Sequence, residues 1–124
     1  MMDWTKYPNF SEAELRCSET GECKMKPDFM RKLQELREAY GKPMAITSGY
    51  RSPQHSIEAS KAAPGTHTRG LAVDIAVSGQ DCYHLMKLAL EHGFTGIGVA
   101  QKGSGRFLHL DTYKGGPRPN VWSY

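Results

Sequence analysis

Apolar residues follow a helical spacing in the first third of the chain. Between residues 27 and 40 they recur at intervals of three and four, which places them along one helix face: Phe29, Leu33, Leu36 and Tyr40. Pro27 suits the first turn of a helix, and Gly41 is typical of the position after the last turn. The pattern therefore predicts an amphipathic helix over residues 27–40.

Two further helices are predicted on similar grounds. Ser11, followed by Glu14 three residues later, forms a capping box, which predicts a short helix from about residue 12 to 16. A second amphipathic pattern predicts a helix from about residue 80 to 92, and Gly93 ends it. Together with residues 27–40, these segments make up the helical part of the predicted fold.

Strand patterns dominate the second half of the chain. Residues 71–77 alternate between larger apolar side chains and small or acidic ones, which is typical of a strand with two different faces. Residues 106–112 alternate in the same way, and shorter strands are predicted at 44–47 and 97–100. Residues 101–105 contain two glycines and suit a hairpin between strands 97–100 and 106–112.

The remaining segments are predicted to be irregular. Residues 54–66 lack a sustained period and are predicted to form a loop with one helical turn. Residues 114–124 are predicted to form an irregular tail that Trp122 packs against the domain. Helices that come first and strands that come later, joined by hairpins, favour an α+β fold in which helices pack on a small antiparallel sheet.

Length and composition place the chain among ordinary globular domains. Its 124 residues suffice for a modest core, so we expect a single domain over residues 1–124 and a monomer. The net charge of +3 is too small and too evenly spread to predict a nucleic-acid partner. No apolar run approaches the roughly 18 residues that span a membrane, so no stable membrane insertion is expected.

The N-terminal residues and the cysteines bear on localisation. The chain starts without the basic and apolar segments of a signal peptide, so synthesis in a cytoplasm is expected. Three cysteines agree with a reducing compartment. Cys17 and Cys23 flank a glycine-containing turn, but their spacing is a weak signal for zinc or for a disulfide. We interpret both as structural or free thiols.

Two imidazoles and a carboxylate form a candidate metal site: His67, Asp74 and His109. Three such ligands suit a catalytic zinc ion, because they leave one coordination position open for water. Bound zinc lowers the pKa of that water to near neutrality. In the strand predicted at residues 106–112, three side chains are expected to share one face: Phe107, His109 and Asp111. The other histidines lack such a setting and are interpreted as structural or surface residues: His55, His84 and His92.

Three motifs resemble those of zinc peptidases that cut bacterial cell-wall peptides. They are Ser-Gly-Tyr-Arg at residues 48–51, a His-x-x-Gly-x-Ala-x-Asp pattern from His67 to Asp74, and the strand around His109. The chain is similar over about residues 28–113 to D-Ala-D-Ala carboxypeptidases and phage L-alanyl-D-glutamate endopeptidases of the hedgehog/DD-peptidase fold. The resemblance implies that fold, zinc held by those three ligands, and a peptidoglycan stem peptide as substrate.

The resemblance also implies a role for Arg51. In the family, the matching arginine binds the substrate carbonyl or carboxylate and stabilises the oxyanion. Elementary chemistry agrees, because attack on a peptide carbonyl builds negative charge on its oxygen, and a fixed guanidinium stabilises that charge. The alternative is a structural arginine that follows a turn.

One position departs from the family pattern. Many members have an acidic residue three positions before the last histidine ligand, where it acts as the general base. Arg106 stands at that position here. The nearest carboxylate is Asp111, two residues after His109. Asp111 is therefore predicted to act either as the base or as a partner that orients a metal ligand.

The sequence thus predicts a zinc metallopeptidase of a short phage type, which acts at the bacterial cell wall with Arg51 and Asp111 as catalytic residues. The bond that it cuts stays open among D-Ala-D-Ala, L-Ala-D-Glu and cross-bridge bonds. The alternative is a zinc-containing wall-binding or phage tail module of the same fold without efficient catalysis, which Arg106 favours. A purely structural zinc site is a third interpretation, and Arg51 beside an open coordination position argues against it.

Overall fold

The computed structural model describes residues 2–61 and 65–124. Its helices follow a 3-10 turn at Trp4–Lys6 and are α1 (Glu12–Leu15), α2 (Pro27–Tyr40), α3 (Ser56–Ala59) and α4 (Gly79–Glu91). Its strands are β1 (Ala45–Ser48), β2 (Ala72–Ala76), β3 (Gly96–Ala100), β4 (Phe107–Asp111) and β5 (Asn120–Ser123). The strands form one sheet in the order β1-β2-β4-β3-β5.

The sheet has an antiparallel centre and one parallel edge. β4 lies between β2 and β3 and pairs antiparallel with both, while β1 adds antiparallel to β2. β5 adds to β3 in the parallel sense. The predicted α+β fold class is confirmed. The sheet is mixed rather than wholly antiparallel, because residues 120–123 of the tail that was predicted to be irregular form β5.

The hydrophobic core joins the two long helices to the sheet. Most of its fully buried side chains come from α2, α4, β2 and β4, and they include Leu33, Leu36, Leu85, Ile75, Leu108 and Leu110. Burying each such side chain contributes about 1.5–3 kcal/mol relative to leaving it in water. Because side chains alternate along a strand, His109, which lies between Leu108 and Leu110 on β4, is directed to the opposite face of the sheet.

The predicted helices are close to the observed ones. The capping box of α1 is confirmed, because Ser11 Oγ accepts from the Glu14 N–H and Glu14 Oε1 accepts from the Ser11 N–H at 3.0 Å. α3 is the helical turn expected in the loop 54–66, of which residues 62–64 lie outside the described residues. No helix in the described part of the chain is long and apolar enough to cross a lipid bilayer.

The cysteines agree with the sequence interpretation. Cys17, Cys23 and Cys82 are free thiols. Cys17 is buried in the core, and Cys23 packs partly against it. Burial makes these side chains part of the packing, and no disulfide among them contributes to the fold.

Gly70 fixes the path of the chain between α3 and β2. Its φ of 73° lies in the left-handed region, which side chains other than that of glycine rarely tolerate. Its carbonyl accepts a hydrogen bond from the Lys26 N–H at 3.0 Å. A Cβ added at Gly70 would collide with the backbone carbonyl of Lys24. The loop that carries residues 65–69 is therefore held against the start of α2.

Gly70→Ala is expected to lower the free energy of unfolding by more than Gly41→Ala does. Gly41 has the same φ of 73°, but an added Cβ there would meet nothing within 4 Å. Gly41→Ala therefore measures the backbone penalty alone, about 1–2 kcal/mol. The collision with Lys24 adds to that penalty in Gly70→Ala. Urea unfolding of the two variants makes the comparison, and equal losses would contradict this account of the loop.

Candidate metal centre

Two strands and one loop bring His67, Asp74 and His109 together. Asp74 on β2 lies directly opposite His109 on β4 in the antiparallel register, so both side chains leave the same face of the sheet. His67 reaches them from the loop before β2. All three residues are buried, and one potential ligand atom from each lies within 4.8 Å of the others. The cluster that the sequence predicted therefore could hold a metal ion.

The orientation of the His67 ring is fixed by the backbone. His67 Nδ1 lies 2.8 Å from the Gly49 carbonyl oxygen. A carbonyl only accepts, so Nδ1 carries the proton in this contact. The unprotonated Nε2 then faces Asp74 Oδ1 at 3.3 Å. Nε2 is thus the nitrogen of His67 that is available to a metal ion.

His109 lies between two carboxylates. Its Nε2 is 2.7 Å from Asp111 Oδ2, and its Nδ1 is 3.0 Å from Asp74 Oδ1. A neutral imidazole has one N–H and cannot donate to both. The cluster therefore requires an added cation, either a second proton on the ring or a metal ion beside Nδ1. A metal ion held by two imidazole nitrogens and the Asp74 carboxylate satisfies this requirement, so the donor set fits.

The charge states of the cluster follow from these contacts. Burial alone would raise the pKa of Asp74, but its contacts with His109 and His67 outweigh burial and hold that pKa well below its usual range. Burial alone would lower the pKa of His109, but hydrogen bonds to Asp111 and Asp74 outweigh it and raise that pKa. Asp74 is therefore ionised, as a carboxyl group must be in order to bind a metal ion.

Arg51 lies beside the cluster at the end of β1. Its Nε donates to Ser48 Oγ at 3.1 Å, and its Nη1 donates to Glu58 Oε2 at 3.3 Å. Its Nη2 lies 3.7 Å from Asp74 Oδ2, which is an ion pair but not a close hydrogen bond. The guanidinium is therefore anchored at one end, and its other end points to the cluster.

Glu58 is a residue of this region that the sequence analysis did not single out. Its Oε2 accepts from Arg51 and from Lys61 Nζ, the latter at 2.9 Å, and its Oε1 accepts from Thr68 Oγ1 at 2.9 Å. Burial would raise the pKa of Glu58, but hydrogen bonds with Lys61 and Thr68 outweigh it and lower that pKa to about 2. Glu58 thus couples Arg51 to the loop that carries His67.

Asp111 lies behind His109 and is fully buried. Its Oδ2 contacts His109 Nε2 and accepts from Arg118 Nη2 at 2.9 Å. Its Oδ1 accepts from Arg118 Nε at 3.1 Å and from the Tyr113 N–H at 3.2 Å. Burial would raise the pKa of Asp111, but the contacts with His109 and Arg118 outweigh it and lower that pKa. The four contacts occupy both oxygens, which favours the orienting role of Asp111 over the role of base.

The cluster opens into a cleft of about 440 Å³. Four cationic side chains line it: Arg51, Lys61, Arg69 and Arg118. Four aromatic side chains also line it: Phe107, Tyr113, Trp122 and Tyr124. Asp74 is the one carboxylate among the described residues of this lining. The cleft therefore offers cations and aromatic faces to a ligand, and three of its lining residues come from the tail.

Other singled-out residues lie elsewhere. Arg106 is exposed, and its Nε donates to the Gly103 carbonyl at 2.9 Å, outside the cleft. His55 is buried, accepts from the Ile57 N–H and pairs with Glu19. The His84 ring makes an edge contact with the Tyr83 ring, and His92 Nδ1 contacts the Leu88 carbonyl. These contacts agree with the structural and surface roles assigned to the three histidines.

The fold and the cluster define a class: an α+β domain with a candidate mononuclear metal centre at the floor of a cleft. The sequence model of one protein family, described as Peptidase M15, matches residues 8–111. The chain therefore belongs to the peptidase M15 family, whose members are zinc peptidases. The family resemblance noted from the motifs is confirmed, whereas the phage type stays a prediction. A comparison with curated protein sequences found no match.

Glu58→Gln is expected to change how stability depends on pH. The folded-state pKa of about 2 lies below the ordinary value of 4.5. The contribution of Glu58 to the free energy of unfolding is therefore present above pH 4.5. It is lost as the pH falls from 4.5 towards 2. Glu58→Gln should therefore be less stable than the wild type at pH 7, and this difference should shrink across that window. Urea unfolding with a chelator present measures both curves.

The matched control for this prediction is Glu35→Gln, which changes an exposed glutamate on α2. Its curve should run parallel to that of the wild type. A difference between Glu58→Gln and wild type that stays constant from pH 7 to pH 2 would contradict the assignment of Glu58 as a buried, ion-paired carboxylate.

Proposed function

We propose that the protein is a zinc-dependent peptidase that hydrolyses a peptide bond in the stem peptides of bacterial peptidoglycan. The observation that carries this proposal is the convergence of His67, Asp74 and His109 within 4.8 Å beside Arg51, in a chain of the peptidase M15 family. Each of these residues belongs to the motifs that resemble cell-wall peptidases. We expect it to act at the bacterial cell wall as a monomer.

His67 Nε2, the Asp74 carboxylate and His109 Nδ1 would hold the ion. Zinc, when bound, supplies a water of lowered pKa and polarises a carbonyl that contacts it. The chain contributes the orientation of the ligands, since Gly49 holds the His67 ring and Asp111 holds the His109 ring. Burial of all three ligands limits competition from solvent.

Arg51 would stabilise negative charge that develops on the substrate carbonyl oxygen. Its Nε and Nη1 are held by Ser48 and Glu58, so the guanidinium is oriented before substrate arrives. Its Nη2 has only the long 3.7 Å contact with Asp74 and is available to an oxygen in the cleft. An oriented donor of this kind stabilises an oxyanion without reorganisation.

The charge of the cleft favours a substrate that carries a free carboxylate, as stem peptides do. Among the cationic lining residues, Arg51 and Lys61 pair with Glu58, and Arg118 pairs with Asp111. Arg69 lies over the Tyr113 ring at 5.0 Å and has no carboxylate partner among the described residues. A guanidinium that stacks on a ring keeps its N–H edge open. Arg69 is therefore our candidate for binding a substrate carboxylate.

A second function is a zinc-containing binding module of the same fold without efficient catalysis. It is favoured by the absence of a candidate base among the described residues of the cleft. Asp74 is the one carboxylate in that lining, Asp111 is occupied by four contacts, and Arg106 lies outside the cleft. The two functions share the metal centre and differ in turnover.

His67→Ala is expected to abolish zinc binding and the release of peptides from purified peptidoglycan. The wild type should bind one zinc ion, because three of its buried side chains form one ligand set. Zinc content and mass spectrometry of the products measure both effects, and the masses identify the bond. His84→Ala, on the exposed part of α4, is the matched control and should behave like the wild type.

The outcomes separate the two functions. Products from the wild type that disappear in His67→Ala support the peptidase. A folded wild type with stoichiometric zinc and no products supports the binding module. A folded wild type that does not bind zinc would contradict both proposals.

Arg69→Gln is expected to raise KM for a stem peptide by roughly 10-fold to 100-fold, because a hydrogen bond to a charged group contributes about 1.5–3 kcal/mol. Peptides with one carboxylate converted to an amide, either at the C-terminus or at the internal isoglutamate, identify which carboxylate is bound. The wild type should discriminate against one of these amides, and Arg69→Gln should not. Equal discrimination by both proteins would contradict the role of Arg69.

A further inference from the structure

Residues that follow the family match reach back to the metal centre. The matched residues end at Asp111, yet Arg118 forms two hydrogen bonds to the Asp111 carboxylate, from Nε at 3.1 Å and from Nη2 at 2.9 Å. Two parallel bonds between a guanidinium and a carboxylate fix both the distance and the angle between them. The orientation of Asp111 is therefore set by a residue outside the matched region.

Asp111 in turn fixes the ring of His109. The contact of 2.7 Å between Asp111 Oδ2 and His109 Nε2 requires the proton on Nε2, because an ionised carboxylate only accepts. In the neutral ring that a metal ion requires, the lone pair is then on Nδ1, which faces Asp74 Oδ1 at 3.0 Å. A carboxylate behind a ligand histidine fixes its tautomer and ring orientation. Arg118, Asp111 and His109 thus form one continuous chain of contacts.

Arg118 is itself held in place. Its guanidinium lies over the Trp122 ring at 4.9 Å and near the Tyr113 ring at 5.6 Å, and its side chain is 13% exposed. The Trp122 ring also packs against the His109 ring, with centroids 5.2 Å apart. Its Nη1 also donates to the Pro117 carbonyl at 3.0 Å. An arginine with two aromatic contacts and three hydrogen bonds has few alternative positions.

Two glycines of β3 make room for this arrangement. A Cβ added at Gly96 would collide with the Asp111 carboxylate. A Cβ added at Gly98 would lie 2.7 Å from Trp122 Nε1. β5 pairs with β3 at these positions, with Gly98 opposite Trp122. Because Gly96 and Gly98 lack side chains, the sheet has space beside β3 for the Asp111 carboxylate and the Trp122 indole.

We propose that Arg118 is a positioning residue of the metal centre, which acts through Asp111 to hold His109 Nδ1 towards the ion. The inference rests on the proposed metal site and extends it to residues 113–124. The competing explanation is that the pair of Arg118 and Asp111 only anchors the tail to the domain. The two explanations differ in what happens to the metal when the geometry of the pair is changed and its charge is kept.

The test is Arg118→Lys, which keeps the positive charge but cannot form two parallel hydrogen bonds with Asp111. Since the net charge near the metal is unchanged, a weaker affinity reports the loss of orientation. The zinc dissociation constant, measured by competition with a chromophoric chelator, should rise roughly 10-fold to 100-fold. NMR of the ¹⁵N-labelled imidazoles should show slow exchange of the His109 Nε2 proton in the zinc-bound wild type and faster exchange in the variant.

Arg106→Lys is the matched control, because Arg106 directly precedes β4, the strand of His109 and Asp111, but lies outside the cleft. It should keep the wild-type zinc affinity and the slow proton. Urea unfolding of the metal-free proteins measures anchoring separately. If Arg118→Lys lowers the free energy of unfolding but leaves zinc affinity and proton exchange unchanged, the tail is only an anchor and the inference is overturned.

A second variant keeps the test decisive if Arg118→Lys does not fold. Tyr113→Leu removes one aromatic contact of the guanidinium and leaves its hydrogen bonds possible. A smaller rise of the zinc dissociation constant is expected in this variant than in Arg118→Lys, and no rise would overturn the inference. If the folded wild type binds no zinc, the proposed function fails, and this result is distinct from wild-type affinity in the variants.

Discussion

The register between β2 and β4 is the constraint on which the candidate site depends. It places Asp74 opposite His109, while Val73 lies opposite Leu110 and Ile75 opposite Leu108 on the other face. A shift by one residue would turn every side chain of a strand to the opposite face of the sheet. The hydrophobic pairs resist such a shift, because it would expose them. The apolar core therefore determines the geometry of the polar cluster.

Buried charge around the cluster is balanced by residues from distant parts of the chain. Asp74 contacts His67, His109 and Arg51, while Glu58 contacts Arg51 and Lys61. Removing such groups from water is costly, and their mutual attraction offsets that cost only when the geometry is good. These pairs consequently contribute more to the arrangement of the loops than to the stability of the fold. Thr68 and Ser48, which bond Glu58 and Arg51, complete this arrangement.

Some of this structure could be predicted from sequence because its signals are local. The interval pattern of residues 27–40 and the alternation around Asp74 each depend on neighbours a few positions away, and α2 and β2 follow them closely. The cluster of His67, Asp74 and His109 could be named because ligand types coincide with a motif. The roles of Arg51 and Asp111 stay predictions, although the contacts of Asp111 favour one of its two roles.

Other features could not be predicted because they depend on contacts between distant segments. Glu58 lies in a segment whose sequence pattern predicted a loop, and its buried ion pairs arise only when distant side chains meet. β5 follows a stretch rich in glycine and proline, which indicates irregular chain, and its parallel partner is β3. Arg118 carries no spacing relative to Asp111 that marks it in a sequence. The polarity of the cleft could not be predicted either, because three of its lining residues come from the tail, which reaches the cleft only through its place on the sheet.

The position of β5 also bears on the order in which the site is completed during synthesis. The helix α2, the strand β1 and the three ligands precede β5 in the chain, so the wall that carries Trp122 and pairs with β3 is translated after them. A nascent chain that has grown only to residue 117 contains His67, Asp74 and His109 but lacks Arg118, Trp122 and Tyr124. The metal pocket is therefore completed later in synthesis than the ligands that it contains.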